Sequence, residues 1–384
     1  MKSTLEQNTL TLYFVGEINS SNAHTVEEEA MQTIGSQTFK TLVLNFHDIT
    51  YVSSAGLRIV LMFKKRYGDV HITDVSLEVY DVLHMTGFTE MMDVQKALAE
   101  IDVSTAELIG EGYCSKVYRI NKDTIIKVLR QPTPIAEVQR ELNLARQAFV
   151  LGIPTAISYD VVKVGDLLGV RFEMLDCASL RDAFRDHPEQ TDALIEKYAA
   201  LLKTINTTES IDPSIPSTKD IAIRHMEKIK PLFDKKHAAK LEKLITSIPE
   251  RDTFVHGDCH VKNIMLQDGE PMLIDMDTLS RGHPIFELAA IYATYIAFEE
   301  DSPGNNEDFL GLPTELVHKI FRGTLEHYFP AFNDEIYRKI ALASYAHMVW
   351  WTITNSPEDK RRLNGNFTRL NKLLDEIDDL DIGL

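Results

Sequence analysis

Three side chains in one short stretch have the types and spacing for phosphate chemistry. In FVHGDCHVKNIMLQDGEPMLIDMD, residues 254–277, Asn263 follows Asp258 by five positions, and Asp275 ends the apolar run Met272-Leu273-Ile274. Oxygen ligands grouped in this way suit Mg²⁺ held on substrate phosphates, because that ion takes one or two carboxylates and fills its remaining positions with phosphate oxygens and water. Asp258 is then left to orient an attacking hydroxyl, which is the division of labour that phosphoryl transfer requires.

Those residues need elements to hold them. The apolar residues entering His256-Gly257-Asp258 read as a strand and the stretch from Asp258 to Asn263 as a tight loop. Ile264-Met265-Leu266 and Met272-Leu273-Ile274 read as a hairpin turned at Asp268-Gly269. Far upstream, Gly110-Glu111-Gly112 separates two strand-like runs. Glycines there let backbone N–H groups approach phosphate oxygens with no Cβ in the way. Thr124 to Leu129 is an apolar strand with Lys127 in its middle, and a lysine so placed needs an anionic partner or a route to solvent.

Ile135, Val138, Leu142, Ala145 and Phe149 recur at helical spacing, with Glu141 beside the stripe. A Lys on a strand paired with a Glu on the next helix suits holding nucleotide phosphates. Glu141 is the preferred partner of Lys127, and Glu137, one turn earlier, is the rival. Glu173-Met174-Leu175-Asp176 is the segment expected to lie along a nucleotide base, with Met174 presenting backbone groups. From there helical patterns dominate, broken by the Asp258–Asp275 stretch.

The whole chain sets bounds on these readings. Its 384 residues are enough for more than one domain. A formal net charge of -18 argues against nucleic-acid or anionic-membrane binding, which needs basic patches. The three cysteines, Cys114, Cys177 and Cys259, lie far apart without metal-ligand spacing, which fits reduced thiols in a cytoplasm. Residues 1–17 carry no apolar core long enough for a signal peptide, and no apolar run approaches a membrane span, so the expected location is cytoplasmic.

The first hundred or so residues alternate strands and helices, the pattern of a small α/β domain. Strands are expected at Leu10–Phe14, Leu42–Phe46, Val70–Ile72 and from Phe88. Helices are expected after Ser20-Ser21-Asn22, after Ser53-Ser54, from Ser76 to Met85, and from Asp93. The YVSSAGLR stretch after LVLNF, together with the later MTGF, resembles the STAS domain of anti-sigma factor antagonists. In that family a serine at the start of the helix is reversibly phosphorylated and switches binding to a protein partner. The resemblance makes Ser54 the candidate regulatory phosphosite. The family often has Asp just before it, where this chain has Ser53. On spacing alone Ser53 and Ser54 are helix caps.

HGDCHVKNIM, LIDMD and GHPIFELA, in that order, resemble the aminoglycoside phosphotransferase and choline kinase superfamily, a branch of the protein-kinase-like fold. The glycine loop, Lys127 and the VQRE helix followed by IPTA fit the same family, so the resemblance runs from about 105 to 384. It implies ATP and Mg²⁺ as cofactors, with Asp258 as base or orienter of the acceptor hydroxyl and Asn263 and Asp275 as Mg²⁺ ligands. Lys127, paired with Glu141, would contact the α- and β-phosphates, near Gly110 and Gly112. Asp277 would support the metal site, and His256 and His260 would hold the loop. Where the family has Asp, this chain has His283 and Glu287, at positions expected to brace the larger lobe.

The expected architecture is a STAS-like α/β domain over 1–101, then an α+β, bilobal kinase-like domain over 102–384. The latter has a β-rich small lobe to about 177 and a helical large lobe beyond. The expected activity is phosphate transfer from ATP to a small-molecule hydroxyl, with the STAS-like domain as regulator or protein-docking module. The alternatives are a signalling kinase acting on a protein serine, with Ser54 of a STAS domain as candidate, and a non-catalytic nucleotide-sensing scaffold. Two features bear on the acceptor: Glu299-Glu300-Asp301, read as a solvated loop or an amine-attracting cluster, and Trp350-Trp351, read as core or as an aromatic cage.

Overall fold

The computed structural model describes residues 1–384 except Tyr113, Asp176, Ile211 and Pro213. The chain divides into two compact units, Met1–Ile101 and Asp102–Leu384.

The first unit is a five-stranded sheet with strands in the order β1 to β5: Lys2–Glu6, Thr9–Ile18, Thr41–Val52, Val70–Val75 and Val94–Lys96. β1 and β2 form an antiparallel hairpin. Its two turn residues, Gln7 and Asn8, have φ of 46° and 69°, the left-handed pair that two-residue hairpins demand. From β2 onward the strands are parallel and are linked by helices α1 (Ala23–Ile34), α2 (Ser54–Tyr67) and α3 (Leu77–Met85). Leu10, Leu12, Leu42, Leu44, Phe46 and Phe63 are fully buried between sheet and helices.

Two local readings of this unit change. β1 was not foreseen. The expected strand at Phe88 is a helical turn, α4 (Phe88–Met91), and the expected helix at Asp93 gives way to β5. Gly87, at φ 79°, reverses the chain and drops Phe88 into the core at 7% exposure. A run this short carries no readable period. At the start of α2 it is Ser53 that caps, its Oγ accepting from the Ala55 N–H at 3.2 Å, while Ser54 is the first helical residue and is exposed.

The second unit opens with antiparallel strands β6 (Glu107–Glu111), β7 (Ser115–Arg119), β8 (Thr124–Leu129), β9 (Ser158–Val164) and β10 (Leu167–Glu173), adjacent in the order β9-β10-β8-β7-β6. Helix α5 (Ile135–Val150) lies between β8 and β9 in sequence and buries Val138, Leu142, Ala145 and Ala148. Phe149, expected on the same stripe, is 46% exposed.

The remainder is mostly helical. Its main elements are α6 (Leu180–Asp186), α7 (Thr191–Thr207), α8 (Thr218–Ile229), α9 (Lys235–Ser247), α10 (Ile285–Tyr292), α11 (Phe298–Asp301), α12 (Thr314–Tyr328), α13 (Asp334–Asn355) and α14 (Lys360–Glu376). Among them sit β11 (Phe254–Val255), paired with β14 (Ser280–Arg281), and the hairpin of β12 (Ile264–Gln267) and β13 (Glu270–Leu273). Asp268 and Gly269, at φ 53° and 81°, turn that hairpin as their types suggested. No helix among the described residues is long and apolar enough to cross a membrane.

Candidate active site

The loop between β11 and β12 is held by its backbone. Gly257 has φ 83°, and a Cβ there would lie 3.3 Å from the Thr278 carbonyl oxygen, so glycine serves both the conformation and the close approach. His256 is fully buried. Its Nδ1 accepts from the Asp258 N–H at 3.2 Å, and its Nε2 donates to the Ile274 carbonyl at 3.2 Å. That pairing requires the neutral Nε2–H tautomer. Burial lowers its pKa and favours the same state. His256 therefore ties the Asp258 loop to the strand end that carries Asp275.

Glu287 has a more specific task than the sequence showed. Expected as a general brace of the lobe, its fully buried carboxylate accepts from the backbone N–H groups of His256 and Gly257, the latter at 3.1 Å. It fastens the loop itself. Burial pushes its pKa up to about 7, against the donation from those amides. A glutamate in the first turn of the otherwise apolar IFELAAIY was the available signal, because a buried carboxylate must find donors. His283 caps the start of the same helix, its Nδ1 accepting from the Ile285 N–H at 3.2 Å.

Asn263 Nδ2 donates to both the carbonyl oxygen and Oδ2 of Asp258, each at 3.0 Å. With the amide nitrogen committed, Asn263 Oδ1 is the oxygen left to act as a ligand. Burial and the nearby Asp275 carboxylate push the Asp258 pKa up, although its side chain stays 44% exposed and open to an incoming group. His260 is buried, edge-on to Phe309, with Nε2 3.5 Å from Asp258 Oδ1. Cys259 is wholly buried, its thiol pKa raised by burial, and its carbonyl accepts from the Tyr198 hydroxyl, so it is a packing residue.

Asp275 adopts φ 67°, a left-handed conformation rare for aspartate and found where surrounding structure imposes it. Lys127 Nζ reaches Asp275 Oδ1 at 2.6 Å and Glu141 Oε1 at 3.0 Å. Glu137 is exposed and not its partner. Burial alone would lower the Lys127 pKa, but Asp275, Glu141 and Asp277 outweigh it and keep the ammonium charged. Asp277 is accessible at the edge of this group. Desolvation and the Asp275 charge raise its pKa.

The glycine hairpin has no internal need of its glycines. Neither Gly110 nor Gly112 has positive φ, and the atoms nearest an added Cβ would be at 3.4 Å and 3.8 Å, ordinary contact. Tyr113, between the two strands, lies outside the described residues, as does Asp176 of the base-side segment. In that segment the Met174 N–H donates to the Asp123 carbonyl at 3.0 Å, so this amide is not open to a base.

Among the described residues no three or more His, Cys, Asp or Glu gather as a metal site. The donor set is one carboxylate and one amide oxygen, which fits a cation that completes its shell with phosphate oxygens.

The acidic run Glu299-Glu300-Asp301 is neither a solvated loop nor an open cluster. Asp301, with its side chain 1% exposed, is held by Arg369 at 2.7 Å and Asn366 at 2.6 Å. Glu300 accepts from the Tyr345 hydroxyl at 2.5 Å and pairs with Arg369 at 3.1 Å. Glu299 accepts from the backbone of Gly304 and Asn306, each at 2.8 Å.

Comparison with known proteins adds the family. A model for the phosphotransferase enzyme family, abbreviated APH, matches residues 105–313, and a model for the STAS domain matches residues 2–101. No curated protein matches the chain. Among solved structures, the GDP and kanamycin complex of APH(2")-IIia is 14% identical, covers 77% of this chain and 98% of its own, and has a TM-score of 0.47. The streptomycin–ATP–APH(2")-IIa ternary complex is 16% identical, with coverages of 78% and 96% and a TM-score of 0.48. APH(3'')-Id from Streptomyces rimosus is 14% identical, with coverages of 78% and 99% and a TM-score of 0.40. With likeness this low, the family match rather than these neighbours is the ground for assignment.

Proposed function

We propose, from the premise that this chain belongs to the phosphotransferase enzyme family, that it transfers the γ-phosphate of ATP to a hydroxyl of a small molecule. The observation that carries this reading is the convergence on Asp275. Lys127 from β8, its partner Glu141 from α5 and the Asp258–Asn263 loop meet there, although they come from distant parts of the chain.

The geometry supports the following roles. Asp258, half open to solvent and less acidic than an ordinary carboxylate, receives the acceptor's hydroxyl proton as that oxygen forms its bond to the γ-phosphorus. The bond from the γ-phosphorus to the β,γ-bridging oxygen breaks, and its electron pair leaves with ADP. Asn263 holds Asp258 by its amide nitrogen, and its Oδ1, together with an Asp275 carboxylate oxygen, would hold a bound Mg²⁺. Mg²⁺ bound there supplies neutralisation of the β- and γ-phosphate charge. Lys127, held charged, positions the α- and β-phosphates, and Gly110 and Gly112 leave room for them above the hairpin. Met174, in this proposal, faces the base through groups other than its N–H, which the Asp123 carbonyl occupies.

Asp258→Ala is the direct test. Acceptor-dependent ATP turnover should fall by about 10²–10⁴, and turnover at the normal rate overturns the assignment of the base.

The STAS-like unit is, in this proposal, a regulatory or protein-docking module with Ser54 as its phosphosite. Ser53 takes the capping role and leaves Ser54 exposed at the first helical position, where a phosphate meets free N–H groups. Labelled ATP followed by mass spectrometry at Ser54 tests whether this unit is itself an acceptor, and an unmodified Ser54 under turnover conditions leaves only docking.

A further inference from the structure

Beside the loop that carries Asp258 lies a cavity of about 370 Å³ that none of the roles above uses. Gly257, Asp277 and Thr278 form its edge on the catalytic side, and Gly110, Gly112 and Lys127 contribute nothing to it. It thus adjoins the Asp258 loop at Gly257 and the Lys127 group at Asp277, while Asp258 itself is not part of its wall. Its volume is that of a small-molecule site. The space exists because α10 and α13 face each other there through Ala289, Ala290, Ala343 and Ala346, where ordinary core residues would fill it.

The walls are apolar and aromatic. His225 of α8 stacks on Trp350 with ring centroids 3.3 Å apart and planes 6° apart, and His347 closes the group at 5.4 Å from Trp350. Phe286, Ile221 and Met226 add hydrocarbon. His347 also lines the cavity and is exposed. Burial lowers the pKa of His225 to about 4, so at neutral pH that ring is uncharged. The charged side chains on the walls are Arg140 and Asp277, one of each sign. A polyamine entering such a site would lose hydration from several ammonium groups and meet a single carboxylate. The acidic run that could have served it, Glu299–Asp301, is already bound to Arg369, Tyr345, Asn366 and backbone amides.

We infer that this cavity is the acceptor site and that it takes an uncharged, largely apolar ring alcohol, stacked or packed against the His225–Trp350 pair, rather than a polycationic sugar. This rests on the phosphotransferase reading: the alcohol's oxygen bonds to the γ-phosphorus, its proton passes to Asp258, and ADP leaves with the bridging oxygen.

The chain's two tryptophans make the test specific. Trp350 lines the cavity, whereas Trp351 packs edge-on against Phe298. In full-length Trp351→Phe protein Trp350 is the sole reporter. Borneol, an uncharged ring alcohol that does not absorb with tryptophan, is the probe, and kanamycin is the cationic contrast. Borneol should change Trp350 emission saturably and kanamycin should not. Ala346→Leu, which fills the space, should weaken borneol by about tenfold or more, near 1.4 kcal/mol. Should that variant not fold, His225→Ala removes the stacked ring without adding volume and should weaken borneol likewise. A response to kanamycin with none to borneol, or a borneol response that both substitutions leave untouched, overturns the inference.

An arm with γ-labelled ATP and Mg²⁺ separates the two readings. Label on borneol supports both. Label on kanamycin with a silent Trp350 keeps the phosphotransferase and overturns the cavity's assignment. Saturable borneol binding with no label on either compound overturns its use as the acceptor site.

Discussion

Two acidic segments of the larger unit look alike as sequence and have opposite fates. Asp275 and Asp277 gather with Glu141 at one lysine ammonium, and Asp258, near Asp275, keeps 44% of its side chain exposed. Glu299, Glu300 and Asp301 are neutralised by their own chain, with Asp301 only 1% exposed and bound to Arg369 and Asn366. The first group holds more negative charge than its partners cancel, as a site for a metal–phosphate complex requires. The second is a closed ion-pair network joining α11 to α14. Acidity alone does not mark a site. What marks it is acidity that the fold leaves unanswered, at some cost in stability.

The contrast can be broken most severely at Asp258. Asp258→Ala should cut turnover by about 10²–10⁴, while thermal unfolding shows a Tm equal to or above the parent's, since the raised carboxyl pKa means that the folded state disfavours its charge. A large loss of Tm would place Asp258 with the structural acids instead. Asp301→Ala should do the reverse. It strands the Arg369 guanidinium and should lower stability by about 3–5 kcal/mol, with normal turnover per folded molecule at a temperature where the variant is folded.

Glu287→Gln sharpens the comparison, because Glu287 is buried like Asp301 yet grips the loop that carries Asp258. Losing charged acceptance of the His256 and Gly257 amides should cost about 1.5–3 kcal/mol. Unlike Asp301→Ala, it should also lower kcat, with the KM for ATP little changed. An unchanged kcat would make Glu287 a purely structural acid.

The smallest effect extends the comparison from acids to bases. His225 has a folded pKa of about 4, below its ordinary 6.5, so between those values the unfolded chain binds more protons there than the folded one. Its contribution is complete above pH 6.5 and is lost as pH falls toward 4. A Tm series over that window should slope downward toward acid, as His260 and His283 also require, and His225→Phe should make the slope shallower. An equal slope in the variant would assign the acid sensitivity elsewhere.

Much of the site was legible because it is local. Asp258, Asn263 and Asp275 lie on one loop and hairpin, and the turn residues Asp268-Gly269 announce their own geometry. Gln7-Asn8 and Gly87 carried equally local instructions, but the segments they serve were too short to show a period, and there the reading failed. Glu287 was legible only as a brace of its lobe, because what it holds is a backbone distant in sequence, and no side-chain pattern records where amides point.

The sequence by itself determined which groups could do chemistry: the loop carboxylates and Asn263, a charged strand lysine with a helix glutamate, and the phosphotransferase family they belong to. Only the tertiary structure decided which were left free to do it. Packing brought Lys127 to Glu141 and Asp275 rather than to Glu137, closed Glu299–Asp301 on Arg369, Asn366, Tyr345 and backbone amides, and left four alanines of α10 and α13 lining a cavity. Those outcomes are sums over contacts between residues far apart in the chain. Local propensity and periodicity report only on near neighbours, so neutralised and unanswered charges read alike until the chain folds.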